Sequence, residues 1–441
     1  MSIKLLTPIR RKGFWILRRR VPAQYAGFDN RKIVRISTHI RIADDPKAIR
    51  AAPIVQQINR DLEAEWLALV AGEKPRERQR YDQAVSISNG LGFKYLTTPE
   101  LVTRPAEEIV RRSEVLVARK SVDSPEEASA LFGGEDRPVI RVSGLKAEFV
   151  SLQKATLAQM SPGQQQKWHD QRRHVAKNFL EAIGSDKKLT DLTKADGMAY
   201  RNWWMRRITE DGLQINTANK HMGMVSRMLK RVSAASELDI PAIFSGLNIE
   251  GGIDDQREPF ENEFIRDRIL APGVFDDLNA DARRVLFVMV ETGLRPSEIV
   301  SLTARTIHLN HPVPHVTIVP EGRILKTEES RRHIPLVGVS LAAMKLQPKG
   351  FARYHDKASS LSGIVNKYLL NHGLRPTEKH TLYSLRHSFE DRLTGLGIAD
   401  KLQAYLMGHK YDRPKYGSPP KLDQLLELLG KIAFARWPAD L

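Results

Sequence analysis

The 441-residue sequence contains no cysteine. Disulfides, thiolate zinc sites and a cysteine nucleophile are thereby excluded. Long apolar runs are also missing. None exceeds the six residues of Val285–Val290, where about 20 are needed to span a bilayer. The start, MSIKLLTPIRRKGFW, is basic but has no apolar stretch or cleavage site, so no signal peptide is expected. There is no G-x-x-x-x-G-K-[ST], no H-E-x-x-H and no G-x-S-x-G, which argues against a P-loop NTPase, a zinc protease and an α/β-hydrolase. His308, His311 and His315 are interrupted by Pro312 and Pro314 and run into a strand, so no metal site is expected there. Asp276 and Asp277 read as surface or capping residues, and no internal repeat is visible. The expectation is a soluble cytoplasmic chain without a cofactor.

What is abundant is positive charge. The net charge is +17, and 41% of residues are hydrophobic, enough for packed cores. Such a surplus points to a polyanionic partner. It is unevenly spread. Residues 1–60 hold 14 Lys/Arg against 3 Asp/Glu, whereas residues 61–140 sum to −4. Residues 141–250 return to +6, and 251–441 carry +4. Several modules touching one polymer would produce this pattern.

The expected architecture is multidomain and mainly α, with small β-sheets. Period-2 runs at 14–21 and 32–38, split by Pro22 and a turn at 27–30, predict a small basic antiparallel sheet. Arg18, Arg19 and Arg20 are its candidate phosphate contacts. A helix is expected from about Asp45 to Val70, closing an N-terminal segment at 1–70. Residues 71–140 read as a helical spacer, with helices near 99–119 and 124–132. Residues 141–245 read as a helical domain. Its apolar positions include Leu145, Phe149, Leu152 and Leu157, then Val175, Phe179, Leu180 and Ile183, and finally Met222, Val225, Met228, Leu229 and Val232. Arg172, Arg173, Arg206, Arg207, Lys220, Arg227, Lys230 and Arg231 interleave with them as a candidate DNA-gripping surface. After a Gly/Asp-rich link at 246–258, residues 259–441 are α-rich with one hairpin, His315–Pro320 and Arg332–Leu336, turning at Glu321–Gly322.

The last segment carries the chemistry. In Thr292-Gly293-Leu294-Arg295-Pro296-Ser297-Glu298 the glycine ends an apolar helix and Pro296 opens the next. Arg295 then sits at a helix junction, suited to an anion, with Glu298 placed to orient it. Arg386 lies amid the apolar face of Leu382–Phe389, where a long cation needs a fixed acceptor. Lys326 falls at the mobile end of the hairpin. His409 follows Leu406-Met407-Gly408, and Tyr416 lies between Pro414 and Gly417. Two arginines can grip and neutralise a phosphodiester, a lysine can protonate a leaving 5′ oxygen, and a tyrosine can attack phosphorus.

These motifs, T-G-L-R-P-S-E, L-K-T with R-R-H-I-P-L, Y-S-L-R-H-S-F and L-M-G-H-K followed by Tyr416, resemble the catalytic domain of the tyrosine recombinases, the phage-integrase family. The resemblance covers about 170 residues firmly. The block 141–245 resembles the family's helical core-binding (SAM-like) domain, and F-W-I-L-R-R-R-V-P is similar to N-terminal segments of some phage-type integrases. It implies that Arg295 and Arg386 bind the scissile phosphate, Lys326 is the general acid, His409 hydrogen-bonds the phosphate and Tyr416 forms the 3′-phosphotyrosyl bond. Glu298 and His387 would support them. The implied partner is double-stranded DNA, bound as a tetramer in the nucleoid, with accessory DNA-bending or directionality factors and no membrane.

One position departs from the pattern. Where the family has histidine or lysine, three residues before its second arginine, this chain has Tyr383, which can donate a hydrogen bond but is a poor base. His380 could substitute only with a different local backbone. Tyr411 is too near His409 to be the nucleophile, and Tyr405 reads as helix packing. A helix at 421–434 either completes the fold or docks on a neighbouring protomer. Two alternatives stay open: a DNA-binding relative with weakened catalysis, and a type IB topoisomerase.

Overall fold

The computed structural model describes residues 6–11, 13–22, 25, 31–70, 75–252, 257–411, 419–439 and 441, with backbone alone at 64–65, 67–70 and 75–77. Tyr416 lies outside the described residues. The chain is mainly helical and carries two small three-stranded antiparallel sheets. It divides into two compact units, residues 1–152 with 172–251, and residues 153–171 with 252–441.

In the first unit, β1 (Ile9–Arg11), β2 (Phe14–Arg20) and β3 (Ile33–Arg41) form a meander in which Leu17 faces Ile36 and Arg18 faces Arg35. Its inner face packs Leu17, Val21 and Val34 on Val55, Leu62 and Trp66 of the helix Ala51–Val70. That helix starts six residues later than the sequence suggests. The Asp45 carboxylate accepts the Ile49, Arg50 and Ala51 N–H groups at 2.9 Å each and ends the preceding turn there.

The spacer contains a helix that periodicity did not reveal, Pro75–Gly90, whose charged sequence buries only a narrow stripe including Ala84 and Ser88. The span 99–119 is two helices, Thr98–Val102 and Ala106–Ala118, parted at Pro105. The helical block centres on Pro162–Ile183, Lys194–Asp211 and Ile215–Ser236. Met222, Val225, Met228, Leu229 and Val232 are all buried, as their spacing predicts. Leu152 is not: the helix Leu145–Ser151 ends before it, and it is 43% exposed.

The second unit is built around the helix Ala280–Thr292. Asn279 caps its start, accepting the Ala282 N–H at 3.1 Å, and Val285–Val290 are buried on every side. β4 (Ile307–His308), β5 (His315–Ile318) and β6 (Arg332–Pro335) pair in order, so the expected hairpin gains a short third strand. The helices Ser384–Gly395 and Asp400–Met407 close the core. The helix Leu422–Ile432 buries Leu425 and Leu429 in that same core, so it completes its own chain's fold. No helix among the described residues is long and apolar enough to cross a membrane.

Candidate active site

Two helix ends and one strand assemble the cluster. The helix Ala280–Thr292 stops at Gly293, φ +57°, where an added Cβ would lie 2.2 Å from the Phe389 ring. The left-handed turn and this close approach both require glycine. Arg295 then caps the short helix Pro296–Ile299. Glu298 folds back on it, Oε2 accepting the Arg295 N–H at 2.9 Å and Oε1 accepting Nη1 at 2.7 Å. The same carboxylate receives Arg332 from β6, Nη2 at 2.9 Å and Nη1 at 3.2 Å. Burial alone would raise the Glu298 pKa, but Arg332 and then Arg295 outweigh it and hold the group at about 2.

The second helix end is that of Asp400–Met407. Gly408 (φ +59°) donates to Tyr405 O at 3.1 Å and His409 donates to Ala404 O at 2.9 Å, a Schellman closure. A Cβ at Gly408 would sit 2.7 Å from Arg332 Nη1. The freed carbonyls point into the cluster. Gly408 O accepts Arg295 Nη2 at 3.1 Å, Leu406 O accepts Arg332 Nε at 2.9 Å, and Met407 O accepts Arg386 Nη2. Arg386 also donates to Gly293 O at 2.5 Å, and its Nη2 lies 3.1 Å from His409 Nε2. Burial, then repulsion from Arg295, pushes the Arg386 pKa down to about 10. Burial and Arg386 likewise lower that of His409 below the ordinary imidazole value. Arg386 thus lies against His409 Nε2, and His409 Nδ1 is 3.5 Å from Glu390 Oε1.

The charge balance is lopsided. Three buried guanidiniums, Arg295, Arg332 and Arg386, cluster here with the one carboxylate of Glu298, which pairs with the first two. Among the described residues Arg386 has no carboxylate partner, and the buried Nε of Arg295 has no hydrogen-bond partner. Two excess positive charges at low exposure suit this cluster to an anion.

Arg295, Glu298, Arg386 and His409 are thus brought together. Tyr383 starts the helix of Arg386, its carbonyl accepting the Arg386 N–H at 3.1 Å. Its half-buried ring lies 4.9 Å from the Arg257 guanidinium and 5.6 Å from the His387 ring. His387 accordingly faces Tyr383, and burial lowers its pKa. His380 does not stand in for Tyr383. It is buried, with Nε2 3.0 Å from Pro259 O and Nδ1 2.9 Å from Thr377 Oγ1, and it fastens residues 258–260. Lys326 is exposed on the β5–β6 connection, where its neighbour Thr327 reaches Ser330 Oγ at 3.2 Å and Ser330 Oγ accepts Arg295 Nη1 at 3.3 Å. Tyr405 is half-buried in its helix, its hydroxyl accepting the His333 N–H at 3.1 Å. Arg332 was not assigned a role from the sequence. Its signal was present: it shares the inward face of β6 with buried Ile334, two positions on, while His333 between them points out.

The candidate DNA contacts separate by environment. Arg18 and Arg20 are exposed on the open face of the sheet. Arg19 turns inward, pairs with Glu63 and Asn59, and stacks 4.9 Å over Trp66. In the helical block Arg173, Arg206, Lys220, Arg227, Lys230 and Arg231 are exposed. Arg207 lies 4.7 Å over Trp203 and pairs with Asp211, and Arg172 is half-buried near Arg227. No group of three or more His, Asp or Glu among the described residues is arranged to hold a metal ion. The His315 ring stacks on that of His308 at 4.5 Å and meets that of His311 edge-on at 4.9 Å.

No protein-family model matches the chain, and no curated protein matches it. Solved structures do resemble it in part. The integrase of transposon Tn1549, bound to transposon right-end DNA, is 16% identical over 64% of this chain and 94% of its own, with a TM-score of 0.43. A lambda integrase dimer bound to a core site is 15% identical over 66% and 97%, TM-score 0.44. The integrase of mycobacterium phage Brujita is 16% identical over 67% and 95%, TM-score 0.31.

Proposed function

We propose that the chain is a site-specific DNA recombinase or integrase that cuts and rejoins DNA through a 3′-phosphotyrosyl intermediate. The observation that carries this reading is the buried cluster of Arg295, Arg332 and Arg386, with its single carboxylate, beside His409. Arg295 and Arg386 grip the non-bridging oxygens and neutralise the charge that grows at phosphorus. Glu298 and Arg332 hold Arg295 in place. His409 hydrogen-bonds the phosphate. The Tyr416 oxygen bonds to phosphorus as the bond to the 5′ oxygen breaks. The Lys326 ammonium gives that oxygen its proton, and the phenol's proton passes to water. The phosphodiester energy is kept in the tyrosyl bond, so rejoining by the reverse path consumes no ATP.

Arg18, Arg20 and the exposed cations of the helical block contact the backbone of double-stranded DNA in this reading. The working assembly is a tetramer on paired sites, with DNA-bending or directionality factors as further partners. The test uses nicked duplexes tiled across the DNA flanking the coding sequence. Wild type is expected to form a covalent adduct that survives detergent, and Tyr416→Phe none. An adduct retained by Tyr416→Phe would sink the mechanism. Relaxation of supercoils by a monomer without a preferred site would favour a topoisomerase.

A further inference from the structure

The connection from β5 to β6 carries Lys326 and is pinned on both sides of it. On one side the half-buried Arg323 guanidinium donates to Ser297 O and Ser301 Oγ, behind the helix that Arg295 caps. On the other, Thr327 reaches Ser330 and through it Arg295. Between them stands Ile324, whose backbone pairs with a side chain from far away in sequence. Gln164 Nε2 donates to Ile324 O at 2.8 Å, and Gln164 Oε1 accepts the Ile324 N–H at 3.0 Å. One carboxamide thus satisfies both backbone groups, as a neighbouring strand would.

Gln164 is itself held. It occupies the third position after Ser161 at the start of Pro162–Ile183, where its Oε1 also accepts the Ser161 N–H at 3.1 Å and its own N–H donates to Ser161 Oγ at 3.3 Å. This is a capping box. Asp356 fixes the box from outside, accepting Ser161 Oγ–H at 2.5 Å and the Gly163 N–H at 2.6 Å. A helix cap therefore serves a second purpose, since its amide donor is left over to grip the lysine's loop.

We propose that Gln164 is a positioning residue for the general acid, setting the backbone from which Lys326 reaches the 5′ oxygen. The proposal rests on the recombinase reading above. A lysine side chain is long and loses about 2 kcal/mol of rotamer freedom when placed, so its reach depends on a fixed backbone. A displacement of about 1 Å at a reacting group can cost roughly a hundredfold in rate.

The test compares two versions of the same nicked duplexes in full-length protein, one with an ordinary 5′ oxygen at the cut and one with a bridging 5′ sulfur. A thiolate leaves without a proton, so the sulfur duplex does not need the acid. Gln164→Leu is expected to slow adduct formation about tenfold or more on the oxygen duplex and to stay within about twofold of wild type on the sulfur duplex. Lys326→Ala should show the same split. Gln164→Glu keeps the acceptor for the Ile324 N–H and loses the donor, so it should fall between, and it carries the test should the leucine variant not fold. Equal losses on both duplexes, or no loss on either, overturn the positioning role alone. A wild type that forms no adduct with either duplex overturns the recombinase reading and this proposal with it.

Discussion

The arginines of the N-terminal sheet and those of the C-terminal unit are the same residue put to opposite uses. On the sheet, Arg18 and Arg35 face each other across β2 and β3, both exposed. Like charges directly opposite destabilise a sheet modestly and attract a polyanion. In the C-terminal unit, Arg295, Arg332 and Arg386 are at most 7% exposed and donate to Glu298, to Ser330 and to helix-end carbonyls. The first arrangement is additive and sensitive to salt. The second is cooperative and sensitive to the loss of any member.

That contrast can be broken most forcefully at Arg332. Arg332→Ala leaves Glu298 buried against Arg295 alone, and stability should fall by about 3–5 kcal/mol, read from denaturant midpoints. Arg386→Ala should leave the fold in place and lower the rate of adduct formation by roughly 100- to 1,000-fold, as for a lost oxyanion donor. An unchanged rate would remove Arg386 from the site.

Acid titration probes the same cluster from the carboxylate. The Glu298 pKa of about 2 lies below the ordinary 4.5, so its contribution is complete above pH 4.5 and disappears as pH falls through 2. The contribution is on the order of 3 kcal/mol, and Glu298→Gln should flatten the stability profile in that window. Gly408→Ala comes next. It must adopt φ near +59° and meet Arg332, so a loss of about 1–2 kcal/mol or more is expected in thermal melts.

The smallest effects sharpen the other side. Arg18→Ala should barely change stability but reduce the salt slope of DNA binding by about one. Arg19→Ala should do the reverse, lowering stability through its lost contacts with Glu63, Asn59 and Trp66 and leaving the slope unchanged. If the two variants behave alike, the division between open and inward faces is wrong.

Much of the site was legible because its determinants are local. Gly293, Arg295, Pro296 and Glu298 form one turn, and the bonds that orient Arg295 span three residues. Arg19 was not distinguishable from Arg18 and Arg20, since alternation sorts a strand into faces without saying which face carries the helix. The helix Pro75–Gly90 was missed because its surface is polar almost all round, and the start of Ala51–Val70 was displaced by Asp45 through hydrogen bonds that composition does not report.

The sequence by itself determined the charge surplus, the absence of thiol chemistry and the helix-end turns at Gly293 and Gly408, because φ angles and hydrogen bonds within a few residues decide those. The tertiary structure alone decided that Arg332 completes Glu298 from 34 positions away and that Gln164 holds Ile324 across 160. No local pattern marks either partner. Each pairing exists because a buried carboxylate and an unpaired stretch of backbone must find their hydrogen bonds, and the fold brings the donors within reach.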